Sequence, residues 1–437
     1  MNTVIGKCWV LLGASKSRLP FITSLYLLNS ALELLGIGLL IPFISSFIGS
    51  VNQPSIEDEQ LSGNTFVNAI LSSFDTSMLN NLDKDLILAL IILTAFVVKL
   101  FLSVAIAWIT TDFSQKQKSR IARDLLQRLL TMDYSVYMKR RQSDGLYEIQ
   151  TVSGDFYQML QLHMKLFSDG ITILFLTVLM ALVQPQATIM ISAGLALLAC
   201  VYILLSHNFA KRLGVKRNFF ESKVVDVCQN ALAGFREIRL LNKRHYFLNK
   251  LYDNVTASGR INRSKAILSI LPKQFLEISI IIALCSTFAL RETVGLSNEQ
   301  FFNIIIVFSI VGLRLLPLIS GLVAALNHVG ALVDSINRIY SLLSTPIERD
   351  QSQKSIQVHD FRSIEQIQLK NVSFTYEGQV APVIDGVNFE IHRGDVIGLI
   401  GQSGVGKTTF LDLVCGFIQP TDGEINHKFG KMKPHDP

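Results

Sequence analysis

Charge is scarce in this sequence. Asp, Glu, Lys and Arg make up 17% of its 437 residues while 49% are hydrophobic, and the mean hydropathy is +0.39. Soluble globular chains seldom show that balance, so a membrane protein is the reading. Cysteine is sparse as well: Cys8, Cys200, Cys228, Cys285 and Cys415 are odd in number and scattered, which gives neither a disulfide framework nor metal-ligand spacing. The histidines nowhere cluster as ligands would. A nucleic-acid surface is excluded too, because the cations behind the formal charge of +6 sit on helical stretches running out of apolar segments. A cleaved signal peptide is equally unsupported. The apolar stretch Cys8 to Leu12 is short and is followed by Lys16 and Arg18, a pattern that fits an interfacial helix better.

What the chain does contain is long apolar runs. Six reach the roughly 20 residues needed to cross a bilayer: Phe21 to Ile48, Leu86 to Thr110, Leu166 to Val183, Ala187 to Ser206, Ala266 to Leu290 and Phe301 to Val323. The segment from Asp112 to Lys165 carries Lys116, Lys118, Arg120, Arg123, Arg128, Lys139, Arg140 and Arg141, and the segment from His207 to Lys265 is equally basic. By the positive-inside rule both face the cytoplasm. The loop after the first run holds Glu57, Asp58, Glu59, Asp75 and Asp83 with Lys84 as its only cation, so it faces outward. Within that loop Phe66, Ile70 and Phe74 form an apolar stripe at helical spacing, read as a short helix on the outer membrane surface. A multi-pass protein of the cytoplasmic (inner) membrane with both termini inside is the expectation.

The two basic segments are too regular to be loops. Ile121, Leu125, Leu126, Leu129 and Leu130 recur at helical spacing, so the spans are expected to project into the cytoplasm and to turn at Gln142 to Gly145 and at Ala233 and Gly234. A charged linker, Thr345 to Ser363, separates this region from strand patterns at Ile367, Leu369 and Val372 and at Val387, Phe389 and Ile391.

Then comes the motif with chemistry in it. Gly401, Gln402, Ser403, Gly404, Val405, Gly406, Lys407 and Thr408 spell G-x-x-x-x-G-K-[ST], the phosphate-cradling P-loop. Val396 to Ile400 before it read as a buried strand, and Thr409 to Val414 after it as a helix start. The glycines let successive backbone N–H groups converge on the β-phosphate; Lys407 then reaches the β/γ-phosphates and the Thr408 hydroxyl faces Mg²⁺. ATP and Mg²⁺ are the cofactors this predicts.

Six spans with cytoplasmic extensions, followed by "LKNVSFTYEG" and "VIDGVNFEIHRGDVIGLIGQSGVGKTTFLDLVCGFIQPTDGEI", resemble a type I ABC exporter half-transporter. The similarity covers the chain to Ile425. Glu33 with Pro42, "LPKQFLE" from Leu271 and "LRLLPLISGLVAALNHV" from Leu313 are similar to the lipid-linked oligosaccharide flippases. The resemblance implies an all-α six-helix ABC type I transmembrane domain over 1–344, a linker over 345–363, and the first part of an α/β P-loop nucleotide-binding domain over 364–437. It implies that Tyr376 stacks on adenine, that Thr409 joins the nucleotide loop, and that a second half-transporter completes the site. Coupling contacts would come from Glu148 to Tyr157 and from Gln229 to Arg239. The implied function is ATP-driven export or flipping of a lipid-linked or other amphipathic substrate.

No apolar strand ending in Asp-Glu, glutamine loop, LSGGQ-like signature or switch histidine follows Thr408. The chain is therefore expected to be truncated and to bind ATP without hydrolysing it. The remaining stretch from His427 reads as polar and poor in strand. A membrane protein that only dimerises or binds ATP is the alternative. Within the spans, Lys99 and Arg314 are the candidate residues of the substrate path, as cations that meet anionic substrate groups; pairing with Glu33 and Glu277 is the competing reading.

Overall fold

The computed structural model describes residues 2–33, 36, 84–132, 134–183, 185–289, 298–344, 364–376 and 378–429, with some side chains in the helices, including that of Arg314, left outside the description. The outward loop with Phe66, Ile70 and Phe74 also lies outside the described residues. The chain divides into two compact units, Met1–Leu125 with Ser143–Leu342, and Leu126–Gln142 with Leu343–Pro437.

The first unit is helical. Helix α1 covers Asn2–Leu12 and runs through a 3₁₀ turn, Gly13–Arg18, into α2, residues 19–33. One face of α1 buries Cys8, Leu11 and Leu12, while Trp9 and Val10 stay exposed. Arg120 donates to the carbonyls of Leu11 and Leu12, placing a cation where the helix end leaves acceptors unpaired.

Very long helices follow. Helix α3, Lys84–Leu130, has 47 residues and α7, Pro185–Ala233, has 49. At 1.5 Å per residue each is about 70 Å long, more than twice the roughly 30 Å of bilayer hydrocarbon, so each projects well beyond it. Three helical stretches among the described residues are long and apolar enough to cross a membrane: Ala89–Leu130, Ser192–Ala233 and Leu315–Ser344. Leu100, Phe101, Trp108, Leu204 and Leu205 point outward from the first two. Water would penalise that surface and lipid does not.

Short helices α4, Tyr134–Met138, and α5, Gln142–Tyr147, follow α3. A π turn, Glu148–Val152, then leads into α6, Ser153–Val183. The expected break at Gln142 to Gly145 is therefore a correction: this segment is helical, and the chain turns at Thr131 and Met132 and again at Lys139 and Arg140. The reason is distant. Ser143 Oγ donates to Asp226 at 3.1 Å and Ser222 Oγ donates to Asp144 at 2.6 Å, so α7 holds the segment down. The expected turn at Gly234 is present, between α7 and α8, Phe235–Leu240. Helix α9, Arg244–Ala289, and α10, Asn298–Ser344, complete the unit; Pro272 lies within the one and Pro317 within the other.

Small residues let α7 and α10 touch. A Cβ on Gly214 would lie 2.0 Å from the Ala331 carbonyl oxygen, a position no side chain can occupy. Ser206 Oγ donates to Asn327 Oδ1 at 2.8 Å along the same seam.

The second unit contains an antiparallel sheet of order β2-β1-β3, with β1 Ile364–Phe374, β2 Ile384–His392 and β3 Asp422–Phe429. The central strand places Leu369 opposite Phe389 on one side and Ile425 on the other. Helix α11, Lys407–Val414, sends Leu413 into a core with Leu369, Val372, Ile384 and Ile418. Tyr134 of α4 packs on that core with its ring stacked on Phe417, centroids 5.1 Å apart. Two readings are corrected here. Residues 422–429 form a full strand although His427 and Lys428 are polar, because β3 pairs with β1 along its whole length and pairing there demands no apolar side chain. Val396 to Ile400 is not a buried strand: it pairs with no strand among the described residues, and Val396 and Ile400 are 99% and 97% exposed. Both edges of β1 are already occupied, so this sheet offers the segment no place beside its central strand.

Candidate nucleotide site and membrane charges

The loop ahead of α11 has the shape its glycines permit. Gly404 and Gly406 take φ of +84° and +100°, a region that L side chains rarely adopt. A Cβ on Gly406 would also lie 2.9 Å from Val383 Cγ1. Gly406 is the residue that caps α11 and makes no side-chain hydrogen bond, so the first backbone N–H groups of the helix face outward as an anion-binding end. Phe410 N–H closes the first helical turn onto Gly406 at 2.8 Å.

Lys407 Nζ donates to the carbonyls of Gly401 at 2.8 Å and Gln402 at 2.6 Å. Its ammonium is thus folded over the loop, matched to carbonyl dipoles and to no carboxylate among these bonds. Tyr376 and Thr409 approach each other here, their hydroxyl oxygens 3.0 Å apart, and Tyr376 stands edge-on to Phe374 with centroids 4.9 Å apart. The Tyr376 ring is half-exposed beside the loop. Two residues 33 apart in sequence are brought together here. An ATP phosphate chain fits this cradle, since the N–H groups and a cation converge on a loop with no room for side chains at Gly406.

The membrane charges divide. Lys99 Nζ lies 3.3 Å from Glu33 Oε1, with side chains only 17% and 13% exposed, and 5.7 Å from the Phe96 ring centroid. Glu277 pairs with Lys273 at 3.7 Å one helical turn away. The backbone of Arg314 lies in α10.

Sequence reasoning missed a polar cluster where the start of α6 meets the C-terminal parts of α7 and α10. Asp155 accepts from Arg217 and from Ser335 Oγ, and Tyr147 Oη donates to Asn218 at 3.0 Å and to Glu221 at 3.2 Å. Asn218 Nδ2 donates to Asp334 at 2.8 Å, which also pairs with Arg338 at 3.1 Å. Burial, reinforced by the Glu221 charge, pushes the Tyr147 hydroxyl above its ordinary range; burial opposes the Arg217 charge, but Asp155 and Glu221 outweigh it. Thus Tyr147, Glu148, Val152, Ser153, Asp155 and Phe156, in or beside the expected coupling segment, are buried within the first unit. At the other expected coupling segment the tip is open: Leu232, Phe235 and Leu240 are exposed.

The comparisons with known proteins now have geometry to attach to. The family model for the ABC transporter transmembrane region matches residues 19–312, and the ABC transporter model matches residues 384–436. Among relatives, the chain is similar to the ATP-dependent lipid A-core flippase of Nitrosococcus oceani, 24% identical over 315 residues, which cover 70% of this chain and 51% of that protein. It is similar to the subtilin transport ATP-binding protein SpaT of Bacillus subtilis, 26% identical over 209 residues, 44% of this chain and 31% of that one. It is also similar to the mycobactin import ATP-binding/permease protein IrtB of Mycobacterium tuberculosis, 31% identical over 149 residues, 34% of this chain and 24% of that one. The chain spans about half the length of the first of these and less of the others. With its membrane region matched over most of its length and its glycine loop formed ahead of α11, the chain belongs to the ABC transporter family, as a helical membrane domain joined to part of an ABC ATPase domain.

Proposed function

We propose that this chain is a half-transporter that couples ATP to export or flipping of a lipid-linked or other amphipathic substrate across the cytoplasmic membrane. The observation that carries the reading is the P-loop geometry at Lys407 in a chain whose ABC membrane region reaches far beyond a bilayer's thickness. Residues 401–409 would hold the phosphates and Tyr376 the adenine. Mg²⁺ would sit at the Thr408 hydroxyl. Bound nucleotide supplies the energy of closure; the chain's own part is to anchor phosphate with Lys407 and the α11 amides, and to transmit movement along its long helices. A second half-transporter is the proposed partner. The exposed tip at Leu232, Phe235 and Leu240 supports a docking role there. The asymmetry of Lys and Arg supports an inner-membrane orientation with both termini inside.

Lys99 and Arg314 are the proposed substrate-path cations. We expect this polypeptide to bind Mg-ATP through residues 401–409. Photocrosslinking with azido-ATP tests the binding: labelling lost in Lys407→Ala supports it, and labelling that survives overturns it. For orientation, single cysteines at Ser55 and Gly378 in a cysteine-free background are treated with an impermeant thiol reagent on intact cells. Labelling at Ser55 alone is expected, and labelling at Gly378 alone would reverse the topology.

A further inference from the structure

Where α6, α7, α9 and α10 leave the apolar spans at their cytoplasmic ends, they line an open cavity of about 390 Å³. That is within the roughly 300–1,000 Å³ of small-molecule sites. Small residues open it, among them Ala210, Gly321 and Ala324. Its polar lining consists chiefly of donors, Lys165, Lys265, Asn262, Asn327 and His328, and the nearby carboxylate of Asp169 lies beside Lys165 at Gly321.

Two observations point to a ligand. Asn327 is 4% exposed, and its Oδ1 accepts from Ser206, yet its Nδ2 has no hydrogen-bond partner. A buried amide N–H left unpaired is destabilising, so an acceptor is called for. Secondly, Lys265 is half-buried. The charged groups acting on it are Arg217 and Glu221 of α7 and Asp155 of α6, while His328 of α10 sits in its field. Asp155 is already occupied by Arg217 and Ser335, and Glu221 by Tyr147 and Arg217. Burial, with Arg217 adding to it, pulls Lys265 down to about 8, and burial together with Lys265 pulls His328 down to about 4. His328 is therefore neutral at pH 7 while Lys265 remains mostly charged and lacks a dedicated counter-ion. Lys165 is engaged by Asp169 outside the cavity lining.

We propose that this cavity binds a phosphate group, held by Lys265 and the free amide of Asn327, with Lys165, already beside Asp169, at its rim. Separate donors from several helices around one void suit an anion with several oxygens, and lysine meets phosphate as a mobile point charge. The depth of the cavity, at the cytoplasmic edge of the spans, matches a headgroup attached to an acyl-bearing molecule in the inner leaflet. The proposal goes beyond the ATP-driven reading and stands if that reading fails.

The test is calorimetric titration of the purified chain in detergent with dihexanoylphosphatidylglycerol, a phosphodiester whose charge is constant from pH 6 to 9, beside dihexanoylglycerol, which has no phosphate. Saturable binding of the first only is expected. Lys265→Gln and Asn327→Asp should each weaken it at least tenfold, while Lys250→Gln on the exposed part of α9 stays within twofold. Affinity should fall as pH rises from 7 to 9, when Lys265 loses its proton. If Lys265→Gln lowers the melting temperature, Lys265→Arg keeps the experiment decisive, because it should bind. Inorganic phosphate that displaces the lipid assigns the site to free phosphate; failure to displace it assigns the site to a headgroup, and either result upholds the cavity. Equal binding of dihexanoylglycerol, or titrations unchanged by Lys265→Gln and Asn327→Asp, overturns it.

Discussion

The cluster around Asp155 and the loop around Lys407 are both polar, and they differ in what remains free. At Asp155 the donors and acceptors belong to the protein: Arg217, Ser335, Asn218 and Tyr147 bind one another and Asp155 across four helices. At Lys407 the ammonium rests on two carbonyls of its own exposed loop, and the helix end beside it has no side-chain cap. A cluster whose groups bind one another, with Arg217 Nε alone of them buried without a hydrogen bond and 3.6 Å from Glu221, holds helices together; a cluster with open donors awaits an anion. Substitutions should therefore act on folding in the first and on binding in the second.

The largest effect is expected at the closed cluster. Arg217 and Asp155 are 9% and 5% exposed, so Asp155→Ala strands a buried guanidinium and should destabilise the protein by roughly 3–5 kcal/mol. Arg217→Met with Asp155→Leu removes both charges and should recover most of it. Thermal unfolding in detergent reads both, and a small effect of Asp155→Ala would show that the cluster is wetter than its burial implies. Next comes Lys99. Lys99→Met removes the cation 3.3 Å from the Glu33 carboxylate within a span and should cost about 2.5–3.5 kcal/mol, regained by adding Glu33→Gln. If, in a version carrying a complete ATPase domain, transport in membranes is lost in the double variant although stability returns, Lys99 serves the substrate path. Transport restored along with stability confines it to pairing with Glu33.

These outcomes bear on how much could be read from residues alone. The P-loop was legible because its chemistry is local: three glycines, a lysine and a threonine within eight positions. The long helices were legible from the periodicity that continues past the span at Thr110. The Asp155 cluster was not, since Asp155, Arg217 and Ser335 are far apart in sequence and meet only after α6, α7 and α10 have packed. For the same reason Gln142 to Gly145 read as a turn. Its hydrogen-bond partners, Ser222 and Asp226, lie on α7. Val396 to Ile400 misled in the opposite way. An apolar run predicts a strand only where neighbours exist to pair with it, and β1 has none to spare.

At the open cluster, Gly406→Ala introduces a Cβ 2.9 Å from Val383 Cγ1 at a φ of +100°. The strain should cost about 1–3 kcal/mol and abolish nucleotide crosslinking. Lys407→Ala should abolish crosslinking with the melting temperature nearly unchanged, because its bonds are exposed. If Lys407→Ala unfolds the domain instead, the contrast between the two clusters fails.

The smallest effect tests whether the tip helix α4 is part of the nucleotide unit's core. Tyr134 stacks on Phe417 at 5.1 Å with the rings inclined by 27°, and packs on the cluster of Leu369, Val372, Ile384, Leu413 and Ile418. An aromatic pair contributes about 0.5–1.5 kcal/mol beyond its burial. Tyr134→Ala should lower stability modestly, and Tyr134→Phe should leave it unchanged because the stack needs a ring and no hydroxyl. The core borders α11 through Leu413, and α11 begins at Lys407, so loosening the tip reaches the phosphate loop by one element. A double-mutant cycle with Phe417→Ala should give a coupling of the same size as the pair, and azido-ATP labelling should fall in parallel. Additive single effects would mean the two rings are neighbours only in passing, and the path from helix tip to nucleotide would have to run elsewhere.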